Sequence, residues 1–247
     1  VRTVLVVVAS VSGAAGVSTV ALGLAALWPS RKGLLVEADP CGGVVAARFG
    51  LPQEPGLTGF AAAARHGLPE GGSARFVQVL PVGVHAVVGP GAAETAAQAV
   101  SVLAGRPETV AALAPVVVVD AGRLYPGSPA HGLLGAADAL VVVTAGDTEH
   151  LDHVENRLTG LRASTRSGGV GLAVCGKTPF APQDISARCR APVWAHLPRD
   201  RWGAAGLSGR MTGPAWPRTR LAQALRSLAG ILAVPPQLGR PRLEVLR

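Results

Sequence analysis

An α/β fold, with a mostly parallel central sheet and helices on both faces, is predicted by three observations on this 247-residue sequence. Runs such as VLVVV, VVVVD and ALVVV are apolar at successive positions instead of alternating, as strands buried on both faces require. Segments of helical composition separate these runs at intervals that suit strand–helix–strand crossovers. A loop of small residues at 10–16 joins the first strand to the first helix, an arrangement that turns backbone N–H groups and a helix dipole toward an anion.

Residues 3–8 read as the first buried strand, and VSTVALGLAAL as a helix beginning near Ser18. GLLVEADP (33–40) is a second strand ending in acidic residues. The turn-rich segment after it holds a short helix over 58–65, and FVQVLP with VHAVVGPG reads as a hairpin of two short strands. Residues 92–104 and 108–113 are helical by composition, and Val116–Arg123 is a third buried strand with an aspartate toward its end. A short helix at 129–136, a strand at 139–146, a helix with a polar face at 148–164 and a strand at 169–176 continue the alternation. A helix at 184–189, a strand at 191–198 and an amphipathic helix at 218–233 close it. The expected organisation is one domain over 1–233 and a Pro/Arg-containing tail over 234–247.

The residues are 49% hydrophobic and 15% charged, a balance that supports a packed core and argues against disorder. The net charge of +8 is uneven: residues 1–156 carry 8 Arg/Lys against 12 Asp/Glu, and 157–247 carry 15 against 3. The basic C-terminal third could face DNA, anionic lipid or an acidic partner, or form a solvated arginine-rich surface. Cys41, Cys175 and Cys189 stand in no C-x-x-C pair, which offers neither a zinc frame nor a disulfide framework and fits a reducing cytoplasm. Ser10, Ser12, Gly13 and Gly16 interrupt the apolar run 3–28, so it reads as strand, loop and helix and not as a transmembrane segment.

The loop departs from the P-loop pattern G-x-x-x-x-G-K-[ST], most consequentially because Val17 stands where the lysine belongs. Ser12-Gly13-Ala14-Ala15-Gly16-Val17-Ser18-Thr19 lies on the deviant Walker A motif K-G-G-x-G-K-[ST]-[ST], keeping Gly13, Gly16, Ser18 and Thr19, with Ala14 in place of one glycine. Glu37-Ala38-Asp39-Pro40-Cys41-Gly42 matches a second-strand motif D-x-D-P-x-G, with Glu in the first acidic place. VVVVDAG ends in Asp120 as a Walker B strand does, and ADALVVVT and LPRDRWGAAGLSG match two later patterns. In order and spacing the chain thus resembles the MinD/ParA-like P-loop ATPases, with a degenerate P-loop. GLPQEPGLTGFAAAARHG and the strands after it look most like the CpaE/TadZ branch, whose members place pilus-assembly machinery.

That resemblance implies a MinD/ParA-like P-loop fold, ATP and Mg²⁺ as cofactors, a homodimer and a protein partner in a larger assembly. It implies a nucleotide-binding stretch at Gly13, Ala14, Ala15, Gly16, Val17, Ser18 and Thr19, with Ser18 and Asp120 on the metal side and Asp39 positioning water. Both family lysines are missing, at Ser12 and Val17, so hydrolysis should be feeble: each positioned donor lost costs about 2.7–4 kcal/mol in the transition state. Arg123 follows the Walker B strand and could supply charge to phosphate, or pair with Glu37, Asp39 and Asp120. Lys177, where the family often has an adenine-reading Asn, is a second candidate.

The expectation is a catalytically inactive pseudo-ATPase serving as a cytoplasmic positioning or assembly scaffold. The alternatives are a slow Mg²⁺-dependent ATPase of division or partitioning, and a nonspecific DNA binder using the basic third. His150 and His153, three apart in TEHLDHVE, could hold a metal or form the wet face of a helix. Trp202 and Trp216, set among arginines, are expected in a loop over the nucleotide, and Trp194 in strand packing.

Overall fold

The computed structural model describes residues 3–13, 16–29, 31–67, 72–166, 169–211 and 215–234. Its strands are β1 (Val4–Ser10), β2 (Leu34–Glu37), β3 (Gln78–Val79), β4 (His85–Val87), β5 (Val116–Arg123), β6 (Ala139–Ala145), β7 (Val170–Cys175) and β8 (Val193–Leu197). They form one eight-stranded sheet in the order β3-β4-β2-β5-β1-β6-β7-β8. Only β3 runs antiparallel to its neighbour, in the expected hairpin with β4. The valine-rich runs are central strands because each alternate side chain has an apolar layer to enter.

Those layers are helical. Val6, Val8, Val118, Val141 and Val143 point into a cluster with α1 (Val17–Leu27) and α9 (Arg220–Ala233), through Val20, Leu24, Leu225 and Leu228. Leu5, Val7, Val117, Val119 and Val142 face the other side, where α3 (Leu57–Arg65), α4 (Ala93–Ala104) and α6 (Thr148–Ser164) supply Phe60, Leu103, Leu151 and Leu158. Each such side chain, fully buried, contributes about 1.5–3 kcal/mol. Among the described residues no helix is long and apolar enough to cross a membrane.

The element order follows the sequence reading, with local corrections. Strand β2 stops at Glu37, because Asp39 turns the chain by accepting the Cys41 N–H at 2.8 Å. Residues Pro129–Ala136 form a 3₁₀ helix. Two short helices escape periodicity: α2 (Val45–Phe49) and α8 (Arg201–Leu207). The latter starts where Asp200 accepts the N–H groups of Trp202 and Gly203 at 3.0 and 3.1 Å, a capping signal already present in the sequence. Trp216 is not in a loop over the nucleotide as expected; it is 6% exposed and belongs to the α1–α9 cluster. Trp202 stays on the surface, with the Arg201 guanidinium 5.0 Å over its ring. The remaining helices are α5 (Pro107–Ala111) and α7 (Pro182–Cys189). The tail 235–247 lies outside the described residues.

Trp194 packs in the strand layer, as expected, directly against β7. A Cβ placed on Gly171 would lie 2.1 Å from the indole ring. Gly171→Ala is therefore expected to lose about 1–3 kcal/mol by overpacking, read as a fall in Tm of about 2–4 °C for each kcal/mol.

Candidate nucleotide site

Strand β1 lies between β5 and β6, and the chain leaves it in one direction toward β2 and later returns on the other side to β6. Such a switch point opens a crevice beyond the carboxyl ends of the strands, where ligands bind in open α/β sheets. The loop from β1 to α1 fills that position. Gly13 and Gly16 have φ of +73° and +120°, values that side chains rarely tolerate. Gly16 is the N-cap of α1, which has no side-chain cap and no acidic residue in its first turn, so its leading N–H groups are left for an anion. The Ser12 hydroxyl is buried and has no hydrogen-bond partner among the described residues. Ala14 and Ala15, named as phosphate-cradling residues, lie outside the described residues.

Val17 does not project as a polar contact. It is 6% exposed and packs with Val6, Val8 and Val20 beneath the loop. Ser18 and Thr19 follow it in the first turn of α1, both half-buried.

Three carboxylates gather on the neighbouring strand ends. Asp120 is fully buried and stands in register with Val8 of β1 and Glu37 of β2. Its Oδ1 accepts the Gly122 N–H at 3.1 Å, whereas Oδ2 has no hydrogen-bond partner among the described residues. Burial pushes its pKa from 3.8 to about 7; the nearby Ser18 hydroxyl opposes the rise, and Glu37 and Asp39 add to it. Glu37 is 1% exposed and wholly occupied: Oε1 accepts the N–H groups of Val44 at 2.6 Å and Val45 at 2.9 Å, and Oε2 that of Gly89 at 2.8 Å. It thereby caps α2 and ties β2 to the loop after β4. Burial raises its pKa against these three bonds and the charge of Arg48. Asp39 is half-buried, and burial raises its pKa although Cys41 donates to it. Its carboxyl lies on Gly122, where a Cβ would come within 2.1 Å of Asp39 Cγ.

The two candidate cations differ in placement. Arg123, at the end of β5, is exposed and its Nε donates to the Val11 carbonyl at 3.3 Å. Among the described residues it forms no ion pair with Glu37, Asp39 or Asp120. Lys177 is exposed in the loop after β7, two strands away from β1 and so about 10 Å to the side. The structure thus gathers Ser12, Gly13, Gly16, Ser18, Asp39, Asp120 and Arg123 at one sheet edge and leaves Lys177 apart. Glu37 proves to be a structural anchor; its longer arm in a D-x-D-P pattern was the available signal.

Among the described residues no group of three or more His, Cys, Asp or Glu side chains is arranged to hold a metal. His150 instead meets Asp147, the N-cap of α6, with Nδ1 2.6 Å from Oδ1. Mg²⁺ asks less of a protein, since one carboxylate or hydroxyl beside phosphate oxygens and water suffices. The unpartnered Asp120 Oδ2 near the Ser18 hydroxyl fits that demand.

These features define the class: an open α/β sheet with an uncapped, glycine-framed loop at its switch point, the layout of a P-loop nucleotide-binding fold. The particular form is that of the ParA/MinD ATPases. The chain superposes on a ParA family ATPase from Chlorobium tepidum TLS with a TM-score of 0.75 at 18% identity, over 92% of this chain and 98% of that one. For the septum site-determining protein MinD complexed with Mg-ADP, from Pyrococcus horikoshii OT3, the values are 0.72, 18%, 94% and 96%. For the MinC:MinD cell division protein complex of Aquifex aeolicus they are 0.67, 15%, 96% and 99%. No family profile and no curated protein matches the sequence. At these identities the likeness establishes the fold.

The raised pKa of Asp120 has a definite sign in stability. The fold favours the protonated acid, so its contribution is complete below about pH 4 and is lost as pH rises through about 7. Tm in metal-free buffer is expected to fall between pH 6 and pH 8, and Asp120→Asn to make that slope shallower. An unchanged slope in the variant would remove Asp120 as its source.

Proposed function

We propose that this chain is a ParA/MinD-type pseudo-ATPase: a cytoplasmic positioning or assembly scaffold whose nucleotide site has lost its hydrolytic cations. The carrying observation is the pair Ser12 and Val17 at the two lysine positions, with Val17 turned into the apolar layer under the loop. Phosphoryl transfer to water relies on positioned positive charge far more than on covalent chemistry by the protein. Absence of two such charges at about 2.7–4 kcal/mol each leaves little acceleration. Asp39, the residue in the water-positioning place, is drawn onto Gly122 and the Cys41 N–H instead of standing free in the crevice.

A scaffold role fits a fold whose relatives include a MinD in complex with MinC. The resemblance of GLPQEPGLTGF to the CpaE/TadZ branch favours pilus or secretion machinery as the assembly served. Association as a homodimer through the loop face follows the family pattern. Phosphate release from ATP with Mg²⁺ is expected to run at least a hundredfold below that of a lysine-bearing ParA/MinD protein assayed beside it. Comparable turnover would replace this reading with that of a slow Mg²⁺-dependent ATPase.

A second reading concerns the basic third. Of its arginines and lysine in the described residues, only Arg188 forms ion pairs, with Asp152 at 3.5 Å and Glu155 at 3.0 Å. The other basic side chains of this third form no ion pair among the described residues, which supports nonspecific contact with DNA phosphates. Fluorescence anisotropy with a labelled duplex should show binding that weakens steeply between 50 and 200 mM salt; no binding at 50 mM would exclude it.

A further inference from the structure

We propose that Arg123 is the phosphate-binding cation of this loop, in place of the lysine missing at Val17, and that it recognises the polyphosphate chain of a Mg²⁺-bound nucleotide. The strand register is the first support. β1 and β5 pair in step from Val4–Val116 to Val8–Asp120, and then Ser10 pairs with Arg123, so two steps along β1 span three along β5. The extra residue is accommodated beside Gly122, whose φ of +57° suits the bulge. Without it, strand alternation would put Arg123 on the side of Val117, Val119 and Ala121, the face covered by α3 and α4. With it, Arg123 emerges on the side of Ser10, Val8 and α1. The bulge carries the cation across the sheet to the loop.

The side chain is then held in place. Its Nε donates to the Val11 carbonyl at 3.3 Å, and its Cδ lies 3.8 Å from where a Cβ on Gly13 would stand. The guanidinium therefore rests over the loop while remaining exposed, and its other N–H groups have no partner among the described residues. A guanidinium tethered through one nitrogen keeps a free edge suited to two phosphate oxygens.

An independent feature points to the same ligand from the opposite side. The fully buried Asp120 has an oxygen with no hydrogen-bond partner among the described residues, near Ser18 in the first turn of α1. A cation there, anionic oxygens at the N–H groups of α1, and Arg123 above them together match a metal-bound polyphosphate. Lys177, two strands from β1, does not share this geometry.

The inference rests on the loop being a nucleotide site, and not on the absence of turnover; binding and hydrolysis are therefore measured separately. The test is calorimetric titration of the full chain with ATP and Mg²⁺, repeated with Arg123→Ala, Arg123→Gln and Lys32→Ala. Lys32 precedes β2 at the far edge of the sheet, where it bonds the Gly83 carbonyl, and serves as a matched loss of charge. Wild type and Lys32→Ala are expected to bind alike, and both Arg123 variants at least tenfold more weakly. Arg123→Gln retains a side-chain N–H for Val11, so it reports on charge even if the alanine variant fails to fold. Inorganic tripolyphosphate with Mg²⁺ is expected to compete with ATP in the wild type. No wild-type binding up to millimolar ATP, equal binding by Arg123→Gln, or no competition by tripolyphosphate would each overturn the assignment. The scaffold reading would survive all three outcomes, and would fail only on measured hydrolysis.

Discussion

The parallel pairing of β1 with β5 is the contact on which the rest of this structure depends. It brings the small-residue loop beside Asp120, and its change of step near Gly122 decides which face receives Arg123. The same glycine lets Asp39 lie directly on β5, because the space a Cβ would take is filled by the Asp39 carboxyl. One irregular step thus sets an acidic and a basic side chain around the same crevice. Bulges in parallel pairs are rare, and placement next to a binding site is where they commonly serve to re-aim a side chain.

Charge balance shapes the site as much as its backbone does. Glu37 and Asp120 are register partners with almost no solvent exposure, and burial raises the pKa of both. Glu37 offsets part of that cost with three backbone N–H bonds, one oxygen serving the start of α2 and the other the chain after β4. Asp120 has one such bond and a second oxygen without a partner among the described residues. A buried carboxylate in that condition favours either a proton or a metal. The difference between these neighbours is that one carboxylate is fully engaged in holding the fold and the other is not.

Much of the architecture was legible in the order of residues. The unbroken valine runs specified central strands because only a sheet covered on both faces can bury every side chain in succession. Gly13 and Gly16 marked the loop, and Val17 announced the lost cation without any coordinates. The short helices α2 and α8 were not legible, since five and seven residues carry too little periodicity. Trp216 was misplaced for a related reason: its arginine-rich surroundings look solvent-exposed, yet the turn around it folds the indole against Gly206 and into the α1–α9 layer.

By itself, then, the sequence determined the alternating α/β order, the glycine-framed loop and the chemical deficit at Ser12 and Val17, because these depend on residue type and near neighbours. Tertiary structure alone decided where the candidate cations stand. Arg123 and Lys177 are both candidates on paper, Lys177 the weaker, and each comes at the end of a strand. Strand order puts one beside β1 and the other two strands away, and a single extra residue in β5 turns Arg123 toward the loop. Neither strand order nor register is a local property; the β1–β5 register arises from the pairing of segments more than a hundred residues apart.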